Sequence, residues 1–172
     1  LDFIPRISPH YSAPLHLQPL VERLERIPAE EMRLIVSVPP RHSKSETLLH
    51  FMAHYLARHP EKRIAYASYA QTFSETQAIK AHRYAKAAGV NENPAMRNRK
   101  DWQTVEGGGI FATGVGGEFT GRGADLLIID DPVSNREQAD SPTYRDKTWA
   151  WYEDVAETRL EPGASVVVLM TR

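Results

Sequence analysis

Residues 34–46 read Leu34-Ile35-Val36-Ser37-Val38-Pro39-Pro40-Arg41-His42-Ser43-Lys44-Ser45-Glu46. Leu34 to Val38 is short, β-branched and almost wholly apolar, the pattern of a strand buried on both faces of a parallel sheet. Pro39-Pro40 stops it. From Ser43 to Arg58 the pattern turns helical, with Leu48, Leu49, Met52, Tyr55 and Leu56 on one side and Pro60 as the stop. A strand, a short basic loop and a helix opening on Lys-Ser is the context of a phosphate loop. A helix N-terminus offers unpaired N–H groups and the positive end of its dipole to an anion. The expected phosphate-binding stretch is Pro40, Arg41, His42, Ser43, Lys44, Ser45 and Glu46. Lys44 reaches the β- and γ-phosphates, and the Ser45 hydroxyl ligates Mg²⁺. Against G-x-x-x-x-G-K-[ST], the two glycine positions hold Val38 and Ser43. Glycine would supply a positive φ there, so this loop must close around phosphate without it. On this segment alone, a plain basic strand-to-helix turn is an equal reading.

The second segment breaks that tie. Leu126-Leu127-Ile128-Ile129-Asp130-Asp131 is a buried strand ending in two carboxylates. Phosphoryl transfer needs one carboxylate on the Mg²⁺ side and another that orients the attacking water. The C-terminal end of a buried strand beside a phosphate loop is the place for both. Asp130 takes the metal-side role and Asp131 the water-orienting one. Together with Lys44 they predict a Mg²⁺-dependent ATPase.

Outward from these segments, strands and helices alternate. Residues 1–19 carry Pro5, Pro9, Pro14 and Pro19 and read as an extended entry segment. A helix is predicted over 20–27, a strand over 63–69, and an Ala-rich helix over 74–88 capped by Gly89. Residues 91–101 read as a loop, 102–105 and 110–115 as two short strands, and 116–123 as a glycine-rich loop. A helix over 142–160, in which Trp149, Trp151 and Tyr152 pack on the sheet, is ended by Pro162-Gly163. A last buried strand covers 165–170. The alternation implies an α/β fold, a P-loop NTPase with a mainly parallel central sheet flanked by helices in three layers.

At 172 residues the chain suits one domain, residues 1–172. The formal net charge is −1, so a nucleic-acid site would have to be a local patch. The absence of Cys excludes disulfides, thiolate metal sites and cysteine nucleophiles. No apolar run reaches the roughly 18 residues of a membrane span. A start at Leu1 instead of Met, and an end directly after an apolar run, are expected of cuts in a longer protein.

Four segments in this order carry a resemblance. They are Pro39-Pro-Arg-His-Ser-Lys-Ser-Glu46, Thr120-Gly-Arg-Gly-Ala-Asp-Leu-Leu-Ile-Ile-Asp-Asp-Pro132, Thr158-Arg-Leu160 and Leu169-Met-Thr-Arg172. From about His16 to Arg172 the chain resembles the large subunit of tailed-phage DNA-packaging terminases, whose phosphate loop often reads Pro-Pro-Arg-His-Gly-Lys-Ser. The resemblance implies an ASCE-type (RecA-like) ATPase domain that drives double-stranded DNA into a procapsid. Its implied partners are the portal, a terminase small subunit and other copies in a ring. Its implied location is the host cytoplasm, at the portal vertex. Where the family commonly has Glu after the metal-side Asp, this chain has Asp131. Thr171 falls at the start of the motif that couples hydrolysis to movement. The family's C-terminal nuclease domain would follow Arg172.

The γ-phosphate transition state takes one more cation, often an arginine from a neighbouring subunit. The resemblance makes Arg122 the first candidate and Arg159 the second, while Arg41 contacts phosphate in cis. By position before the phosphate loop, Tyr11, His16 and Gln18 are candidates for the adenine side. Two other readings stay open: a helicase-like P-loop ATPase, and a degenerate nucleotide-binding scaffold, which the missing loop glycines favour.

Overall fold

The computed structural model describes residues 1–172 except Ala13, Arg99, Thr120, Arg122 and Arg172, and leaves out the side chain of Arg97. Its centre is a seven-stranded sheet. The strands are β1 (Arg33–Val38), β2 (Arg63–Ser68), β3 (Glu92–Asn98), β4 (Asp101–Thr104), β5 (Gly109–Gly114), β6 (Ala124–Asp130) and β7 (Leu160–Thr171). Their order is β1-β7-β6-β2-β5-β4-β3. The first five strands of that order run parallel, and β4 and β3 are antiparallel additions. The helices are α1 (Phe3–Ile7), α2 (Gln18–Leu24), α3 (Lys44–Arg58), α4 (Gln71–Ala87), α5 (Arg136–Asp140) and α6 (Pro142–Trp151).

Side chains alternate across a strand, so each central strand feeds two cores. Ile64, Tyr66, Leu126, Ile128 and Val167 point into the larger one, shared with Leu48 and Met52 of α3 and Ala78 and Ala81 of α4. Ala65, Ala67, Leu127, Ile129 and Val166 form the smaller one with Trp151. The α/β class and the helix-flanked, mainly parallel sheet therefore stand as read.

Several local expectations do not. Residues 1–19 are not uniformly extended. Pro5 sits in the first turn of α1, where its missing N–H is not called on, and Phe3, Ile4 and Ile7 are buried. A 3-10 turn, Leu15–Leu17, leads into α2. β1 is not buried on both faces: it is an edge strand, and Ile35 is 78% exposed. Ile35 opens onto an apolar groove of about 470 Å³ shared with Val168, Met170 and Trp149. Trp149 is thus exposed and only Trp151 of the aromatic group is buried. The expected loop over 91–101 is largely β3; a sheet edge tolerates Pro94 and a polar sequence. The long helix is shorter than its pattern. It stops at Trp151, winds through a π turn (Tyr152–Ala156) and a 3-10 turn (Glu157–Arg159), and becomes β7 at Leu160. Pro162 and Gly163 lie inside β7, where its pairing with β6 is irregular.

Gly108 is closely approached by backbone on both sides. A Cβ on it would lie 2.2 Å from the Pro60 carbonyl oxygen and 2.3 Å from that of Lys62. The Thr104 hydroxyl donates to the same Pro60 oxygen at 2.5 Å. Gly108→Ala is therefore expected to destabilise the fold by about 2 kcal/mol, lowering the melting temperature by roughly 4–8 °C. A thermal melt by circular dichroism checks it, and an unchanged melting temperature contradicts it.

Candidate functional site

The site sits at the C-terminal edge of the parallel strands, where α/β sheets bind ligands. Register brings its parts together: Val38 of β1 lies opposite Thr171 of β7, Asp130 of β6 opposite Leu169 of β7, and Ser68 of β2 opposite Asp130.

Ser43 precedes α3 with φ 63° and ψ 15°, the left-handed conformation that glycine would take at this place in the loop. Arg41 is also left-handed, at φ 64°. For a residue with a Cβ this conformation costs about 1–2 kcal/mol. The Ser43 hydroxyl makes no capping bond, while its carbonyl accepts from the Thr47 N–H at 2.9 Å. Ser43→Gly is thus expected to stabilise the protein by about 1 kcal/mol, or roughly 2–4 °C in a thermal melt. A lower melting temperature would mean that the hydroxyl has a role this geometry does not give it.

Lys44 is buried, and its ammonium donates to Asp131 Oδ2 at 2.6 Å and to the Thr171 hydroxyl. Thr171 in turn donates its backbone N–H to Asp131 Oδ1 at 2.6 Å, and its hydroxyl lies 2.8 and 2.9 Å from the two carboxylate oxygens. Asp131 itself is left-handed, at φ 46°. Its N–H donates to Leu169 O at 2.9 Å and its carbonyl accepts from Tyr69 at 3.2 Å. These bonds to β7 and to the end of β2 hold the unusual backbone. Phosphate arriving at Lys44 would compete with Asp131 for one ammonium.

Asp130 is 1% exposed. Its Oδ2 accepts from the Tyr66 hydroxyl at 2.6 Å, and its Oδ1 has no hydrogen-bond partner. Burial pushes the Asp130 carboxyl above the usual carboxylate range. The Tyr66 and Ser45 hydroxyls oppose that shift and the Asp131 charge adds to it. Tyr66 is pushed well above an ordinary phenol by burial and by the Asp130 charge. A buried carboxylate oxygen without a donor, with the Ser45 hydroxyl near the same group, is a donor set that suits a hard divalent cation. Ser45 and Asp130 would hold Mg²⁺ there, with water completing the shell. Among the described residues no group of three or more His, Asp or Glu side chains is arranged to hold a metal ion. One hydroxyl and one carboxylate is a smaller protein share, of the kind nucleotide-bound Mg²⁺ takes.

The other expected residues are placed as follows. Pro40 and His42 are held together, because the His42 ring donates from Nδ1 to Pro40 O at 2.9 Å. His16 donates from Nε2 to His42 O at 3.1 Å and so touches the loop between β1 and α3. Tyr11 does not: it stacks on His50 of α3, with ring centroids 5.3 Å apart. Gln18 bonds Glu22 along α2 at 3.0 Å. Of the adenine-side candidates only His16 reaches the loop. Glu46 is held by α4 and not by the loop before α3. Lys80 and Tyr84 of α4 hold its carboxylate, so Glu46 ties α3 to α4 instead of facing an anion. Arg41 is exposed in the loop. Arg159 is exposed at the start of β7, the opposite edge of the sheet from Lys44. Leu160 lies opposite Ala124 and Leu169 opposite Asp130, so the six steps of β6 and two more along β7, at about 3.3 Å each, put Arg159 on the order of 25–30 Å from Thr171. Arg122 lies outside the described residues.

Tyr66 is the site residue that sequence reading missed. It stands in an ordinary-looking strand, and its reach to Asp130 depends on β2 lying beside β6, which no local pattern reports.

Compared with known protein families and with curated proteins, the chain matches none. Among the described residues no helix is long and apolar enough to cross a membrane.

Proposed function

We propose that this chain is a Mg²⁺-dependent P-loop ATPase domain of the ASCE, RecA-like type. One observation carries the reading: Lys44, Ser45, Asp130, Asp131 and Thr171, from three separate segments, meet at the C-terminal edge of a parallel sheet. Within that class, the order and spelling of the motifs favour the large subunit of a DNA-packaging terminase. The domain would use ATP to move double-stranded DNA into a procapsid, at the portal and in a ring of copies.

In this reading the start of α3 and Lys44 bind the β- and γ-phosphates. Mg²⁺, when bound, neutralises charge on the phosphate oxygens and on the leaving group. Asp131 orients the attacking water and takes its proton. Thr171, bonded to both Lys44 and Asp131, registers whether the ammonium sits on carboxylate or on phosphate. β7 runs from there between β1 and β6, a direct path by which that change reaches the sheet.

The position of Arg159 fits an arginine supplied in trans. It cannot approach its own Lys44, whereas a head-to-tail neighbour could present that edge of the sheet to the site. The scaffold reading leaned on the missing glycines, and a left-handed Ser43 supports a working loop without them.

The test is ATP turnover by the assembled protein, Lys44→Ala and Asp131→Asn, with and without double-stranded DNA. Mg²⁺-dependent turnover that rises with DNA is the expected result. Wild-type turnover no higher than that of the variants contradicts the enzyme reading.

A further inference from the structure

We propose that Tyr66 is a positioning residue that aims the Asp130 carboxylate, keeping Oδ2 on its own hydroxyl and leaving Oδ1 for the metal. The inference rests on the Mg²⁺·ATP reading of the site and adds a residue to it. Tyr66 lies on β2 opposite Ile128 of β6, so Asp130 is two residues further along the neighbouring strand and on the same face. The Tyr66 ring is fully buried in the larger core. Its hydroxyl lies 2.6 Å from Asp130 Oδ2, a short, charge-assisted bond.

A carboxylate turns easily about its last torsion, because that torsion has broad, two-fold wells. Water steadies most surface carboxylates, but Asp130 is buried. The phenol takes the place of water. With Oδ2 held, Oδ1 is the oxygen left without a hydrogen-bond partner. Residues that hold a ligand's second atom commonly set metal affinity without touching the metal.

The experiment titrates a fluorescent ADP analogue, N-methylanthraniloyl-ADP, into the wild type, Tyr66→Phe, Asp130→Asn and the double variant. Each titration is run once with Mg²⁺ and once with EDTA. Tyr66→Phe keeps the ring and removes one oxygen. Its affinity in EDTA is expected to match the wild type, while the gain in affinity on adding Mg²⁺ falls roughly tenfold or more. The double variant should lose no more of that gain than Asp130→Asn alone, because Tyr66 acts through Asp130. Tyr66→His, whose ring N–H ends well short of the position of the phenol oxygen, is the second variant and should likewise lose most of the gain; it carries the comparison if Tyr66→Phe folds poorly. A full wild-type Mg²⁺ gain in folded Tyr66→Phe or Tyr66→His overturns the proposal, and so does an equal loss of affinity in EDTA. A wild type with no Mg²⁺-dependent nucleotide binding overturns the reading of the whole site, an outcome distinct from a change confined to the Tyr66 variants.

Discussion

Lys44→Ala is expected to lower ATP turnover at least about a hundredfold, and to weaken nucleotide binding with it. Lys44 is a buried cation aimed by the start of α3 at the place where phosphates would lie. It is within hydrogen-bond reach of Asp131 and Thr171, so its charge is already directed at the C-terminal edge of β6 and β7. Alanine leaves the loop backbone in place and takes away that charge. The remaining Asp131 carboxylate then faces incoming phosphate without a neutralising partner, which adds like-charge repulsion to the lost attraction. Fold loss is not expected to explain the result, because Asp131 keeps the Thr171 N–H as a donor. A phosphate-release assay read beside a thermal melt separates the two causes.

Asp131→Asn is expected to behave differently. Turnover should again fall about a hundredfold or more, since an amide cannot take a proton from water. Nucleotide affinity should hold or rise, because the carboxylate that competes with phosphate for Lys44 is gone. The backbone demand at this position is φ 46°, and asparagine tolerates the left-handed region better than most residues. Its side-chain oxygen can still accept the Thr171 N–H bond. The variant should therefore melt within a few degrees of the wild type. If Asp131 were only a brace between β6 and β7, the melting temperature would drop and turnover per folded molecule would survive.

These predictions rest on residues that could be read from the chain itself. The apolar run before Pro39, the helical spacing after Ser43 and the pair Asp130-Asp131 are local signals, and each carries its chemistry in its own few residues. The Ser43 backbone was legible as a problem: a phosphate loop without glycine has to spend a non-glycine residue at positive φ, and Ser43 is at 63°. What could not be read depends on neighbours in space. An apolar strand looks the same whether it lies at the centre or the edge of a sheet, so the exposure of Ile35 on β1 had no local sign. Glu46 follows Ser45 in the motif, but its partners Lys80 and Tyr84 are on α4, more than thirty residues away. Tyr66 is in the same position with respect to Asp130. β3 was hidden because Pro94 and its polar neighbours are the composition of a loop, and an edge strand accepts them. Arg159 looked like a site residue in sequence because of its motif, and strand direction places it at the far edge.

The most direct test of the central claim is calorimetric titration of ATP into the wild-type chain and Lys44→Ala, each with Mg²⁺ and with EDTA. The account predicts single-site binding to the wild type that Mg²⁺ strengthens and that Lys44→Ala removes. No binding to the wild type, or binding that neither Mg²⁺ nor Lys44→Ala alters, would contradict it.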